Sequence, residues 1–374
     1  MDLLDDGSCG RRVRRRLAAA PMRRPAAATG NAARIHYASD CNGLDGGALA
    51  LKALGVPFVH EFGGEFTPAY RREFEHLHPE CNTVYSDIME RNFARLKRQH
   101  HVNVYTSGFP CQAFSKQGLQ LGEADPKGRG LIAFWVLKTI KVMKPSGFIL
   151  ENVSNLATAP NFAGFFEWLI FKLRASGYLV ETAVLDSLHY GAVPAARKRV
   201  YVIGIKKDKQ CTPWTWPEPL PLVPLSAVLE QRLPRQPTAN LNMTQLRNLS
   251  SGMDVIKHKD PAANWKKDCW VIDLETSESF GPSVSNNRLP TITKARARSG
   301  FWLTRQERFT STTELLRCQG IDPTSITRPE TVSEKQLREM IGNGFTVSVF
   351  QRLLARLLST VGLASPINPF DVQP

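Results

Sequence analysis

The chain has 374 residues, 42% of them hydrophobic, which is enough for a full core and two domains. It has no apolar run long enough to cross a bilayer, so we expect a soluble, globular protein without a membrane partner. A formal net charge of +14 and a pI near 9.6 favour a polyanionic partner, nucleic acid first. The seven scattered cysteines include no CxxC pair, which argues against a disulfide framework or a zinc cluster and predicts an intracellular, reducing compartment.

Residues 1–33 form an arginine-rich segment with much Ala, Pro and Gly that cannot bury a core. We predict a disordered basic tail. An organelle transit peptide, a nucleic-acid tether and a neutral extension all stay open, although Asp2, Asp5 and Asp6 argue against the first.

The folded part is predicted to begin with a strand at residue 34, a glycine-rich turn and a helix over 48–55. This is a nucleotide-type binding corner, in which Gly43 and Gly46 let the backbone approach a ligand. Glu65 follows the next predicted strand, where a ribose-binding acid would lie, although an exposed glutamate that opens a helix is the alternative. A third strand, over 84–88, places Asp87 near the same sheet edge.

A strand-like stretch over 101–106 precedes Gly108 and Pro110, which should end the strand and present Cys111 on a loop. A reactive thiol would suit that position, but a small buried filler is the usual fate of a free cysteine. Both interpretations remain open from the local sequence.

Beyond a predicted helix over 131–143, a short buried strand over 148–150 delivers Glu151 to the carboxyl edge of the sheet, where ligands bind. A helix over 162–176 and a strand over 178–186 come next. Arg197 and Arg199 then lie on one face of an extended segment, which suits bidentate contacts with carboxylates or phosphates.

The alternation stops after residue 206, and nine prolines fall between 207 and 287. We therefore predict a separate small domain over 207–287, followed by a return segment over 288–362 and a tail over 363–374. Helices are expected over 312–319, 333–340 and 347–358. The stretch 288–305 contains no acidic residue and is the predicted electrostatic anchor, through Arg288, Lys294, Arg296 and Arg298.

In their order and spacing these segments resemble the cytosine carbon-5 DNA methyltransferase family, over about residues 34–360 apart from 207–287. The strings that carry the resemblance are the turn at Gly43, GFPCQ at 108–112, ENV at 151–153, RKR at 197–199, RLPT at 288–291 and GN at 342–343. The resemblance implies an α/β fold with a doubly wound, Rossmann-like class I methyltransferase sheet and a small irregular target-recognition domain.

The same resemblance implies a reaction in which Cys111 adds to carbon 6 of a flipped-out cytosine and carbon 5 takes a methyl group. A protonated Glu151, with a raised pKa, would bond to the ring nitrogen at position 3. Arg197 would hold the base carbonyl, and Arg199 would orient the loop or Glu151. Pro110 and Gln112 flank the nucleophile, with Gln112 near the vacated stack.

S-adenosyl-L-methionine is the implied cofactor, S-adenosyl-L-homocysteine its product, and no metal is expected. Glu65 would bind the ribose and Asp87 the adenine amino group. The full set of implied cofactor-binding residues is Gly43, Gly46, Glu65, Phe66, Asp87, Ile88, Ile132 and Asn343.

The implied partner is double-stranded DNA, bound by a monomer, in the nucleus of a eukaryote or the cytoplasm or nucleoid of a bacterium. A transfer-RNA methyltransferase of the same family is the main alternative, although its Cys-Phe-Thr signature is absent from 207–287. A second alternative is a regulatory homologue that has lost catalytic turnover. The chain departs from the family pattern at Cys41, Asp45 and Ala195, where an aromatic, a glycine and a glutamine are common.

Overall fold

The computed structural model of the chain describes residues 34–41, 43–110, 131–277 and 280–368. Its larger sheet has seven strands in the order β3-β2-β1-β4-β5-β7-β6. These are Ile35–Asp40 (β1), Phe58–Gly64 (β2), Val84–Tyr85 (β3), Val104–Ser107 (β4), Gly147–Val153 (β5), Tyr178–Asp186 (β6) and Lys198–Lys206 (β7). The first five run parallel, whereas β7 is antiparallel to both β5 and β6. The predicted doubly wound α/β fold is confirmed.

The helices form two layers, because alternate residues of the buried strands face opposite sides of the sheet. Tyr37 packs into one core with α1 and α11, and Ala38 packs into the other with α3, α4 and α6. The helices are Gly46–Ala53 (α1), Pro68–Leu77 (α2), Phe93–Gln99 (α3), Ile132–Met143 (α4), Asn155–Thr158 (α5), Ala163–Ala175 (α6), Ser187–Tyr190 (α7), Met243–Lys259 (α8), Thr312–Cys318 (α9), Glu334–Asn343 (α10) and Val347–Thr360 (α11).

The elements predicted within 34–206 and 312–360 are confirmed to within three residues at either end. Helix α11 follows almost all of the other elements in the chain, yet it packs against α1 and β5 in the first core. The end of the predicted return segment therefore forms part of the core on one face of the large sheet. In the part of the chain that the structure describes, no helix is both long and apolar enough to cross a membrane.

The segment 207–287 is more regular than its prolines predict. Helix α8 begins with a capping box, in which Asn242 and Gln245 satisfy each other's backbone amides, and its Ile256 packs against Trp270 and Ile272. A small sheet has the order β11-β10-β8-β9, formed by Trp270–Ile272 (β8), Val284–Asn286 (β9), Trp302–Leu303 (β10) and Arg308–Phe309 (β11). Since β10 and β11 follow residue 288, this sheet joins strands from both sides of the predicted domain boundary.

Candidate active site

The register of the large sheet brings several chain segments to one edge. Asp40 lies opposite both Gly64 and Ser107, Gly64 lies opposite Tyr85, and Ser107 lies opposite Leu150. Because these strands are parallel, the residues that follow each of them leave the sheet on the same side. The segments at this edge are the turn containing Gly43 and Asp45, Glu65, residues 86–88, residues 108–110 and Glu151.

The loop after β4 approaches this edge and is held there by the end of β5. Asn152 Nδ2 donates to the carbonyl of Phe109 at 3.0 Å, and the Phe109 side chain is buried. Pro110, half-buried, is the last described residue before the predicted nucleophile. Cys111 and Gln112 lie outside the described residues, so their assigned roles stay predictions.

Glu151 is a buried carboxyl group facing two arginines. Its side chain is 7% exposed, with Oε1 lying 3.1 Å from Arg199 Nε and 3.9 Å from Arg197 Nη2. Arg199 reaches this position because it pairs with Val153 across the antiparallel β5–β7 ladder, which places its side chain diagonally next to Glu151. Burial raises the pKa of Glu151, although the charges of Arg199 and Arg197 oppose that rise. The expectation of a raised pKa is confirmed in direction.

Arg197 has partners that its position in the sequence does not indicate. Its Nη1 donates to the carbonyls of Ile292 at 3.0 Å and Gly342 at 3.1 Å, and its Nη2 donates to the carbonyl of Gly344 at 2.7 Å. Its side chain is 4% exposed. In this structure Arg197 fastens the return segment beside Glu151, while its contact with a base carbonyl remains a prediction.

A short extended stretch braces the two arginines from outside. The Leu289 amide donates to the Pro194 carbonyl at 2.7 Å, and the Ala196 amide donates to the Leu289 carbonyl at 3.0 Å. Thr291 Oγ1 donates to the Ala196 carbonyl at 2.7 Å. Ala195, which stands where the family commonly has glutamine, is buried under this bridge. Backbone contacts with the return segment therefore hold this loop in place.

Phe345 lies between the cofactor corner and the loop that leads to Cys111. A Cβ atom at Gly46 would come within 2.9 Å of Phe345 Cβ, and one at Gly108 would come within 2.6 Å of Phe345 Cε1. Glycine at these two positions is what lets the ring fit. The ring is 3% exposed and stacks on Phe350 with centroids 4.0 Å apart. Phe345 was absent from the predicted site, and its neighbour Asn343 was the only nearby sequence signal.

The predicted cofactor corner contains a buried hydrogen-bond acceptor, the carboxyl group of Glu65. Gly43 has φ +60°. Glu65 is buried and its Oε1 accepts from the Thr67 amide at 2.8 Å; burial raises its pKa, while the amides of Thr67 and Gly43 oppose the rise. A carboxylate held in this way suits the two hydroxyls of a ribose.

The remaining predicted cofactor residues differ in their exposure. The Phe66 side chain is 71% exposed, which leaves a large aromatic face open for a planar ligand. Asp87 is partly exposed, and its Oδ1 accepts from the Met89 amide at 2.8 Å. Ile88 is buried, Ile132 half-buried and Asn343 exposed.

The four predicted phosphate-binding residues differ in their pairing. Arg296 Nε lies 2.6 Å from Asp273 Oδ2, and Lys294 Nζ lies 3.4 Å from Glu339 Oε2. Arg288 and Arg298 are exposed and have no carboxylate partner within the described ranges. The latter two are therefore better placed to attract phosphates.

One group of side chains has the composition of a metal site. His60, His78 and Glu80 offer ligand atoms within 4.8 Å of one another. However, Lys52 Nζ lies 2.8 Å from Glu80 Oε1 and 3.2 Å from His78 Nδ1, so an ammonium group already fills the position of a cation. We assign no metal to this group.

Comparison with known proteins decides the family. Residues 38–359 match the family model described as C-5 cytosine-specific DNA methylase. The chain belongs to this family. It is accordingly an enzyme of the DNA cytosine-5 methyltransferase class, and the family generally uses S-adenosylmethionine.

Curated relatives agree with this assignment. The type II methyltransferase M.NgoBI of Neisseria gonorrhoeae is 29% identical over 255 residues, which cover 67% of this chain and 72% of the relative. M.HaeII of Haemophilus aegyptius, also a type II methyltransferase, is 27% identical over 270 residues, which cover 70% and 76%.

Solved structures show the same fold. A mutant of Spodoptera frugiperda DNMT2 superposes with a TM-score of 0.62 at 16% identity and covers 87% of this methyltransferase and 99% of its own chain. The Entamoeba histolytica methyltransferase EhMeth has a TM-score of 0.62 at 13% identity, with coverages of 87% and 98%. At these identities the likeness concerns the fold alone.

Proposed function

We propose that this methyltransferase acts on duplex DNA through a covalent adduct between Cys111 and a cytosine that is flipped out of the helix. The observation that carries the proposal is Glu151, a buried carboxyl group of raised pKa that is paired with Arg199. It lies at the sheet edge that the described chain also reaches at Pro110, the residue before Cys111 in the sequence. A carboxyl group with a raised pKa takes up a proton more readily than a free one, and in the protonated form it can donate a hydrogen bond to a ring nitrogen.

The reaction needs both a nucleophile and an acid. The Cys111 thiolate adds to carbon 6, and the electron pair of the 5,6 double bond moves to carbon 5 as the enamine forms. A protonated Glu151 donates to the ring nitrogen at position 3 and stabilises the charge that the thiolate brings into the ring. After methyl transfer to carbon 5, loss of the carbon-5 proton to a base expels the thiolate and restores the double bond.

The cofactor supplies an electrophilic methyl group on a sulfonium centre. Glu65 would accept hydrogen bonds from the ribose hydroxyls, Asp87 would accept one from the adenine amino group, and Phe66 would cover the adenine face. Gly43 and Asn343 would contact the remaining part of the cofactor. The buried carboxylate, the open aromatic face and the partly exposed second carboxylate support this arrangement.

DNA is the substrate that the family assignment supports, and the reacting face of a stacked cytosine is covered in a duplex. Extrusion of the base costs about a few kcal/mol. Phosphate contacts from Arg288 and Arg298 would offset part of this cost, since both side chains are exposed and have no carboxylate partner in the described part of the chain.

Transfer of a labelled methyl group from S-adenosylmethionine tests the proposal, with duplex DNA and transfer RNA offered in parallel. We expect label on DNA, at carbon 5 of cytosine. Label on transfer RNA alone would contradict the choice of substrate, and label on neither would contradict turnover itself.

A further inference from the structure

Asp45 stands in the cofactor turn where family members often have glycine, and its backbone shows why glycine suits that position. Its φ is 52° and its ψ is 68°, in the left-handed region that favours glycine and otherwise admits mainly Asn and Asp. A residue that keeps this conformation without being glycine must be held there by its surroundings. The side chain of Asp45 is where those contacts are found.

Both carboxylate oxygens of Asp45 are engaged, and the residue is fully buried. Oδ1 accepts from Tyr37 Oη at 2.5 Å and from the Ala48 amide at 3.0 Å, which caps α1. Oδ2 accepts from Ser39 Oγ at 2.6 Å, and His60 Nε2 lies 3.3 Å from it. One side chain thus joins the turn to β1, to β2 and to the first turn of α1.

The surroundings keep this carboxylate ionised. Burial alone would raise the pKa of Asp45, but the neighbouring imidazoles of His60 and His78 and the hydrogen bond from Ser39 oppose that rise and hold the pKa well below its usual range. Hydrogen bonds to a charged acceptor are stronger than those between neutral groups. The turn is therefore fixed by several charge-assisted bonds in a site without water-exposed atoms.

Several neighbouring residues support Asp45 or make room for its hydrogen bond with Tyr37. Tyr37 Oη also lies 2.7 Å from Thr106 Oγ1, so the same phenol reaches the strand that leads to Cys111. A Cβ atom at Gly47 would lie 2.2 Å from Tyr37 Oη, which means that this glycine makes room for the bond to Asp45. His78 Nε2 lies 3.0 Å from the Leu44 carbonyl and supports the turn from the other side.

We propose that Asp45 is a positioning residue for S-adenosylmethionine, which holds the turn of Gly43 and Gly46 in the shape that binds the cofactor. The inference rests on the proposed function, because the turn must be the cofactor corner. Without the hydrogen bonds of Asp45, the turn would adopt the binding conformation only part of the time. The apparent affinity for the cofactor would then fall in proportion to the fraction of molecules in that conformation. Where family members often have a flexible glycine, this chain thus has a buried aspartate whose hydrogen bonds fix the conformation of the turn.

The test measures S-adenosylhomocysteine binding to the full chain by titration calorimetry, together with the Tm and the kinetic constants of each variant. We expect Asp45→Asn to raise the Kd about tenfold, as when the competent fraction falls to about a tenth. The KM for the methyl donor should rise with the Kd, while the KM for DNA and kcat at saturating donor change little. Asp45→Gly, which relieves the positive φ but removes the anchor, should also weaken binding.

Three further variants keep the test decisive. Tyr37→Phe and Ser39→Ala each remove one bond to Asp45 and leave its other bonds in place, so we expect each to raise the Kd by about two- to fourfold, as when the competent fraction falls to between about a half and a quarter. Asp322→Asn, an exposed cap on the short helix Pro323–Ser325, should leave the Kd unchanged.

The results that would overturn the role of Asp45 differ from those that would overturn the proposed function. If Asp45→Asn lowers the Tm but leaves the Kd within twofold, Asp45 only caps a helix and the proposal is overturned. If that variant does not fold, an unchanged Kd in both Tyr37→Phe and Ser39→Ala overturns it equally. If the unaltered chain does not bind S-adenosylhomocysteine, the cofactor assignment fails and the role of Asp45 fails with it.

Discussion

Replacement of Arg197 by methionine should destabilise this methyltransferase far more than replacement of Arg199. The buried guanidinium group of Arg197 donates hydrogen bonds to the carbonyls of Ile292, Gly342 and Gly344. Methionine keeps much of the volume but leaves all three acceptors without that donor. Each unsatisfied buried group costs about 1–3 kcal/mol, and because such costs are not additive we expect a loss of about 3–5 kcal/mol.

Arg199 is the matched control, two residues further along the chain at the start of β7. It pairs with Glu151 and donates to the carbonyl of its neighbour Lys198, and its side chain is 12% exposed. Glu151 has a raised pKa and can take up a proton when Arg199 is lost, so we expect Arg199→Met to cost about 1–2 kcal/mol. The stability loss of Arg197→Lys should lie between those of the two methionine variants, because lysine can still donate hydrogen bonds to some of the three carbonyls.

Urea unfolding, followed by circular dichroism and tryptophan fluorescence, measures these differences without reference to catalysis. Limited proteolysis adds a local readout, since the return segment should become more sensitive to cleavage in Arg197→Met. Equal stability losses in the two methionine variants would refute the view that Arg197 fastens the return segment.

Three other predictions follow from the described residues. Glu73 is fully buried with no hydrogen-bond partner in the described part of the chain, and burial raises its pKa to about 7. Since the unfolded chain gives up this proton near the ordinary value of 4.5, the destabilisation grows as the pH rises from 4.5 to about 7 and is complete above that. Glu73→Gln should therefore raise the Tm by several degrees at about pH 8.5 and not at about pH 4, whereas the same change at the exposed neighbour Glu75 should do neither. Glu151→Gln should lower kcat by about 10²-fold or more, and it should remove the fall in rate that we expect of the unaltered enzyme as the pH rises through the raised pKa of Glu151; a rate within threefold would contradict its role as the acid. Arg288→Gln and Arg298→Gln should each reduce the slope of log affinity for duplex DNA against log salt by about 1, and an unchanged slope would remove either residue from the interface.

The positions of the chemically important residues along the sheet edge could be predicted because they depend on local signals. Apolar strands, glycine turns and helix ends fix where each segment leaves the sheet, and parallel strands bring those exits together. Glu65 after β2, Asp87 after β3 and the acid Glu151 in β5 are found at the predicted edge. The raised pKa of Glu151 was expected from the reaction that the family resemblance implies, and its structural cause is burial.

Contacts between distant segments could not be predicted in this way. The acceptors of Arg197 lie about 95 to 147 residues further along the chain, and nothing local marks them. Similarly, Asp40 forms a buried bidentate pair with Arg91, at 2.8 and 2.5 Å, and accepts from Tyr105 Oη at 2.8 Å. Each of these residues looks ordinary in its own segment, so only the folded arrangement shows that they stabilise the cofactor edge.

The segment 207–287, the predicted target-recognition domain, shows a second limit. Its prolines and polar residues hide the helix α8, which is stabilised by its capping box and by packing of Ile256 on Trp270. Helix propensity is a weak signal when a polar sequence gains its stability from a cap and from tertiary contacts.

Trapping of a covalent complex tests the central claim most directly. With a duplex that contains 5-fluorocytosine and with S-adenosylmethionine present, methyl transfer leaves fluorine on carbon 5, where no proton can be lost, and the bond to the enzyme persists. We expect denaturing electrophoresis and mass spectrometry to show a stable adduct at Cys111 and none in Cys111→Ser. An adduct that survives in Cys111→Ser, or one that maps to another cysteine, would contradict the account.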